Sequence, residues 1–188
     1  PTMKVDYRET NSRDIIRGVS GKTFDLGIVR FQSLYVPYYQ KMLQDENLES
    51  QDLWEFSCNL LMSASHPLAE RDDLTYLDLS DYVELVQGDT KAPSFSFEPE
   101  DSPSVSGSSR KIISIYDRGS QFELLRQLPG AFMWTSPVPY DLLNSLTLIQ
   151  KPCTYPGNLH KDILVYRSGY RMSREEKELV NCLRRLVS

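Results

Sequence analysis

The pattern of apolar and polar positions predicts that strands come first in this chain. Three early segments, Met3–Arg8, Asp14–Val19 and Phe24–Phe31, are short and contain β-branched residues, the last of them also aromatic ones. Residues of these types favour strands. The sequence therefore predicts three short strands before residue 32.

Two helices are predicted next. The first starts near Pro37, because proline is tolerated in a first helical turn, and ends near Asn47. The second covers Leu53–Leu61, where two adjacent apolar stripes at helical spacing indicate a largely buried helix. Pro67 disfavours α geometry in the residue before it, which predicts the end of this helix.

The middle of the chain predicts strands followed by a long loop. Thr75–Val86 alternates apolar and polar residues and predicts a strand pair, or one strand with a kink at Ser80-Asp81. Residues 87–109 are rich in Pro, Ser, Gly and acidic residues. They bury too little apolar surface to offset the entropy of ordering, so we predict a long, flexible surface loop.

The remaining segments complete an α+β pattern. They are a strand at Lys111–Tyr116, a helix at Gln121–Leu128, a helix at Tyr140–Ile149 whose last three residues could instead form a strand, a strand at Ile163–Arg167, and a helix at Ser173–Val187. We expect an antiparallel or mixed sheet packed against a helical cluster, in one domain that covers residues 1–188. Because Pro1 stands where a start methionine would, we also expect this domain to be excised from a longer protein.

The charge distribution argues against a strongly basic nucleic-acid-binding module. The chain has 188 residues and a formal net charge of −5. Residues 1–109 carry a net charge of −10 and residues 110–188 one of +5. Phosphate neutralisation supplies most non-specific affinity for nucleic acids, so any contact with RNA is expected on the second half. No apolar run is long enough for a membrane helix, and no membrane partner is expected.

The residues offer little for catalysis. The two histidines, His66 and His160, have no nucleophile motif beside them, and the three cysteines have no metal-ligand spacing. We therefore expect a non-catalytic domain without a cofactor. One alternative stays open: the acidic residues between Glu70 and Glu84 could belong to a degenerate metal nuclease in an unrelated soluble protein.

Several stretches resemble the central cap-binding domain of the orthomyxovirus, or influenza-like, RNA polymerase, in a divergent, thogotovirus-like form. They are Tyr38–Leu74, Gln121–Leu128, the stretch from Pro139 through Pro152, and Ile163–Met172, in the family's order. The resemblance implies a part in cap-primed viral transcription. It also implies a heterotrimeric polymerase as partner, capped host RNA as a possible ligand, and the host nucleus as location.

The resemblance further implies where a cap pocket would lie. In that family two aromatic rings hold the cationic methylated guanine by cation–π attraction, and an acidic residue reads the edge of the base. The equivalent positions are Val19 and Leu60 for the rings, Lys22 for the acid, Phe31 for a lysine and Phe122 for a histidine. Because most are substituted, we expect cap binding to be weak or absent. Alternatively, Tyr35, Phe122 or Trp134 could form a different sandwich.

Overall fold

The protein contains two main β-sheets with helices on their faces, so the predicted α+β class is confirmed. The computed structural model describes residues 4–89, 111–154 and 157–187. Most of the predicted loop at 87–109 lies outside these residues; within them, Val83–Gln87 is the last strand before it.

The first sheet has three antiparallel strands. Strand β10 (Leu159–Arg167) lies between β1 (Gly27–Gln32) and β2 (Leu48–Ser57). Helices α1 (Ser12–Ser20) and α2 (Val36–Asp45) cover one face through an apolar cluster. Its buried members are Ile16, Val19, Val29, Phe31, Tyr39, Leu43, Leu48, Ile163 and Val165. On the other face, Leu164 and Tyr166 pack against Val180 of the last helix, α5 (Arg174–Val187).

The second sheet has five strands in the order β6-β5-β7-β3-β8. Its strands are β3 (Asn59–Ser63), β5 (Val83–Gln87), β6 (Lys111–Ile115), β7 (Ala131–Thr135) and β8 (Leu148–Lys151). Strand β5 pairs in parallel with β6 and β7, whereas β3 pairs antiparallel with β7 and β8. Helices α3 (Gln121–Gln127) and α4 (Tyr140–Leu146) contribute Leu125 and Leu143 to the apolar cluster on one face. The sheet is therefore mixed, as predicted.

In the order of the described strands, the chain passes between the two sheets twice. The chain leaves the first sheet at Cys58, between β2 and β3, and returns between β8 and β10. The returning segment includes β9 (Cys153–Thr154), which pairs in parallel with β4 (Leu74–Thr75). A further apolar cluster spans the first link, because Phe56 of β2, Cys58 and Leu60 of β3 all belong to it.

Two predicted elements have the wrong type of secondary structure. The predicted helix at Leu53–Leu61 is the end of β2 and the start of β3. The same residues also alternate with period two from Trp54 to Met62, and this strand pattern is the one that the fold uses. The predicted strand at Asp14–Val19 belongs to α1, which Asn11 caps by accepting a hydrogen bond from the Asp14 backbone N–H at 3.0 Å.

Other predicted elements are confirmed. Strand β1 lies where Phe24–Phe31 predicted a strand, but it begins at Gly27 and ends at Gln32. Helix α2 begins beside Pro37. Strand β6 and helices α3 and α5 are also present where they were predicted. Helix α4 ends at Leu146, and strand β8 begins at Leu148. Of the two alternatives for the end of Tyr140–Ile149, the strand is therefore the one observed. Thr75–Val86 is broken near Ser80, where a 3₁₀ turn separates β4 from β5. In contrast, the predicted strand at Met3–Arg8 has no regular structure over its described residues.

Candidate functional site

Polar and aromatic side chains converge where the first sheet meets the second. Arg30 lies directly opposite Asp162 in the pairing of β1 with β10, and Asp162 lies opposite Trp54 of β2. Residues opposite each other on antiparallel strands point to the same face. Ser136, which follows β7 of the second sheet, approaches Arg30 from the other side. We call Arg30, Trp54, Phe56, Ser136 and Asp162 the inter-sheet site.

Arg30 forms a bidentate ion pair with Asp162. Its Nε and Nη2 atoms donate to the two carboxylate oxygens, each at 2.7 Å. The Asp162 side chain is 10% exposed and that of Arg30 is 37% exposed. Burial alone would lower the pKa of Arg30, but the hydrogen bonds and charge of Asp162 outweigh it and raise the pKa. The guanidinium therefore stays charged and fixed in direction.

Two further contacts hold the guanidinium in place. Its Nη1 donates to Ser136 Oγ at 3.4 Å, a long hydrogen bond that joins the two sheets. The Arg30 Cζ atom lies 4.7 Å from the centroid of the Phe56 ring, within the range of a cation–π contact. Trp54 lies against the same ring, with the two centroids 4.3 Å apart. The site thus combines one ion pair with an apolar aromatic wall.

A neutral pair lies beside the site at the first link between the sheets. Cys58 Sγ is 3.3 Å from His160 Nδ1, and the same nitrogen lies 2.9 Å from the backbone oxygen of Asn158, to which it donates. Burial raises the pKa of Cys58 to about 12, and burial lowers the pKa of His160. Because both groups are uncharged near neutral pH, Arg30 and Asp162 supply the formal charges of the inter-sheet site.

The position of Ser136 is fixed by Gln150 of β8. The Gln150 amide donates to the backbone oxygen of Ser136 at 3.0 Å and accepts from the Val138 backbone N–H at 3.0 Å. This pair of bonds imitates one step of a β-ladder. It holds the segment after β7, which belongs to no strand, next to Arg30.

The five predicted cap-pocket positions do not meet in one place. Val19 and Phe31 are buried in the apolar cluster under α1 and α2. Leu60 is fully buried beside the link to β3, and Phe122 packs on the far face of the second sheet. Lys22 is exposed in the turn after α1 with a φ of 62°.

The three rings of the alternative sandwich belong to three different apolar clusters: Tyr35 to the cluster under α1 and α2, Phe122 to the cluster under α3 and α4, and Trp134 to the cluster around Phe56.

The acidic run between Glu70 and Glu84 stabilises local structure instead of forming a metal centre. Asp78 accepts hydrogen bonds from the Thr75 backbone and hydroxyl at 2.8 and 2.7 Å and pairs with Arg71. Glu84 is buried in β5. Within the part of the chain that the structure describes, no three His, Cys, Asp or Glu side chains are grouped so that they could hold a metal ion. In the same residues, no helix has the length and apolar character needed to cross a membrane.

Sequence reasoning missed the inter-sheet site. The available signal was a charged residue at the edge of an apolar run in each of two strands: Arg30 between Val29 and Phe31 in β1, and Asp162 directly before Ile163–Val165 in β10. Charged residues are rarely buried unless they are paired, so two such residues predict a pair. Ser136 carried no signal, since only the pairing of Gln150 with its segment places it there.

Comparison with known proteins assigns the fold. Residues 1–92 match the family model of the LysR substrate-binding domain. No curated protein sequence matches the chain significantly. Among solved structures, the C-terminal domain of a probable LysR family transcriptional regulator from Rhodococcus sp. RHA1 has a TM-score of 0.65 at 16% identity, covering 96% of this chain and 83% of that chain.

Two other similar structures are an effector-binding domain and a LysR family regulator. The effector-binding domain of QuiR in complex with shikimate has a TM-score of 0.61 at 15% identity, covering 94% of this chain and 78% of that chain. HinK, a LysR family transcriptional regulator from Pseudomonas aeruginosa, has a TM-score of 0.61 at 14% identity, covering 94% of this chain and 58% of that chain. At these identities the likeness shows that the chain has the fold of LysR effector-binding domains.

These findings overturn the viral interpretation. The resemblance to the orthomyxovirus polymerase is wrong, because both the family model and the similar structures belong to LysR-type regulators. Cap binding, the polymerase subunits and capped RNA as partners, and the host nucleus as location are wrong for the same reason. The prediction of a non-catalytic domain is confirmed, since the matching family model describes a substrate-binding domain and the similar structure is a domain of a transcriptional regulator.

Proposed function

We propose that this chain is the effector-binding part of a bacterial LysR-type transcriptional regulator. A small molecule binds in the inter-sheet site, and binding changes how the two sheets are oriented. The observation that carries this proposal is the contact of Arg30, on the first sheet, with Ser136, beside the second. A ligand that inserts at this contact touches both sheets at once.

The connectivity supports such a response. Among the strands that the structure describes, the chain passes between the sheets at Cys58 and again between β8 and β10. A pair of neighbouring links permits a hinge motion, which ligands commonly exploit by closing a cleft. We further propose that residues 1–188 form a single module of a longer regulator, whose DNA-binding part lies outside them.

The experiment is a thermal-shift screen of small metabolites against the purified protein. A ligand present at about 100 times its Kd stabilises a protein of this size by roughly 5–10 °C. We expect at least one compound to give such a shift, and Ser136→Phe to abolish it, because the phenyl ring fills the space in front of Arg30.

Ser145→Phe is the matched control. Ser145 is exposed on α4, where its hydroxyl donates to the backbone oxygen of Leu142 at 2.8 Å. This variant should keep the ligand response. A screen without any stabilising compound, or compounds that stabilise the Ser136→Phe variant equally well, would contradict effector binding in the inter-sheet site.

A further inference from the structure

The ion pair constrains which ligand the inter-sheet site accepts. An arginine fork binds carboxylates best through two parallel N–H groups. In this protein the Nε–Nη2 edge of Arg30 already holds both oxygens of Asp162 at 2.7 Å. Nη1 makes only the 3.4 Å contact with Ser136. Asp162 thus occupies the position that the carboxylate of an anionic ligand would otherwise take.

The surroundings of Asp162 make its displacement costly. Its side chain is 10% exposed. Beside it lie a neutral thiol and a neutral imidazole, Cys58 and His160, neither of which offers a positive charge. If a ligand took Arg30, Asp162 would remain as a buried carboxylate without its partner, which is strongly unfavourable. An anion that bound without displacing it would lie next to a like charge.

We propose that Asp162 is a specificity-determining residue that excludes anions, so that the effector is a small molecule without net negative charge. This inference rests on the function proposed above and names the chemical class of its ligand. An uncharged or zwitterionic molecule can accept from Arg30 Nη1 and bond with Ser136 while leaving the Arg30–Asp162 pair intact. The rings of Phe56 and Trp54 provide the apolar wall for the rest of such a molecule.

The test compares nicotinate with nicotinamide, two planar molecules of nearly the same shape that differ in charge. Binding is measured by thermal shift and by tryptophan fluorescence, for which Trp54 is a reporter within the site. Asp162→Asn keeps the size of the side chain and an oxygen that can accept from Arg30, but it removes the charge. We expect this variant to bind nicotinate about ten-fold or more tightly than the unchanged protein does, with a smaller change for nicotinamide.

Two further variants serve as controls. Asp52→Asn removes an exposed aspartate of β2 that pairs with Lys161 at 2.7 Å, outside the inter-sheet site, and should not change nicotinate binding. Adding Arg30→Gln to Asp162→Asn should abolish the gain, because the anion then lacks its cation. If Asp162→Asn does not fold, Asp162→Ser tests the same loss of charge.

Every outcome decides the inference. A gain for nicotinate that depends on Arg30 supports it. Equal nicotinate binding by the unchanged protein and the variant overturns it, and so does a complete lack of nicotinate binding by both, since removing the charge of Asp162 then does not admit the anion. An anionic effector that the Ser136→Phe variant no longer binds would overturn this inference and leave the proposed function standing. A screen in which no compound stabilises the protein would contradict the proposed function, while the nicotinate result would still decide the role of Asp162.

Discussion

At the scale of single residues, burial makes the cysteines of this chain differ in reactivity. Cys58 and Cys153 are buried, whereas Cys182 on α5 is exposed. Burial raises the pKa of the Cys58 thiol to about 12 and that of the Cys153 thiol to about 11. Since the thiolate is the reactive form, these two cysteines should be inert at neutral pH.

We therefore predict that one thiol per folded chain reacts rapidly with Ellman's reagent. The other two should react only after unfolding in denaturant, and Cys182→Ser should remove the fast phase. Absorbance of the released thiolate at about pH 8, near the ordinary thiol pKa, gives the count. A second fast thiol in the folded protein would contradict the burial of Cys58 or Cys153.

At the scale of elements, β3 is a strand with both faces buried. Leu60 and Met62 point into the cluster shared with Phe56, while Leu61 points into the cluster under α3 and α4. Each of the three side chains is fully buried. The residues Leu53–Leu61 fit apolar stripes at helical spacing as well as an alternation of period two, and this ambiguity explains why the helix prediction failed there.

The double burial of β3 predicts a large effect of truncation. Leu61→Ala should lower the free energy of unfolding by about 2–5 kcal/mol, because it leaves a cavity in a closed core. Leu77, which is 71% exposed, is the matched control, and Leu77→Ala should change stability by less than about 0.5 kcal/mol. Urea unfolding followed by tryptophan fluorescence measures both. Similar losses for the two variants would contradict the placement of β3 in the core.

At the scale of the whole molecule, two buried histidines couple folding to pH. His66 is 3% exposed and His160 is fully buried, and burial lowers the pKa of each below its ordinary value of 6.5. In His66 the Nδ1 atom accepts from the Leu68 backbone N–H at 3.0 Å, a bond that protonation of Nδ1 would remove. The unfolded chain therefore takes up protons at a higher pH than the folded protein does.

The expected result is a loss of stability on acidification. The histidine contribution is complete above pH 6.5, the ordinary pKa, and declines as the pH falls below it. Each histidine contributes a slope of up to about 1.4 kcal/mol per pH unit. Urea midpoints between about pH 7.5 and 5 measure it, since exposed carboxylates titrate lower. His66→Asn keeps an acceptor for Leu68 and should reduce the slope, and an unchanged slope would contradict this assignment.

Local signals account for the elements that the sequence predicted correctly. In α5, Ser173 and Glu176 form the expected capping box, with the Glu176 backbone N–H donating to Ser173 Oγ at 3.1 Å and the Ser173 backbone N–H donating to Glu176 Oε2 at 2.7 Å. Such interactions involve neighbours in the chain, so the sequence alone determines them. Helix α1 was missed because the β-branched residues in Asp14–Val19 outweighed the cap at Asn11.

The sequence by itself determined the α+β class, helices α2, α3 and α5, and the absence of a nucleophile motif beside either histidine. Only the tertiary structure decided the inter-sheet site. Arg30 is separated by 132 positions from Asp162 and by 106 from Ser136, so no local pattern relates them. Their meeting depends on the register of β1 with β10 and on how the second sheet packs against the first. A buried charge requires a partner, and only the folded chain supplies it.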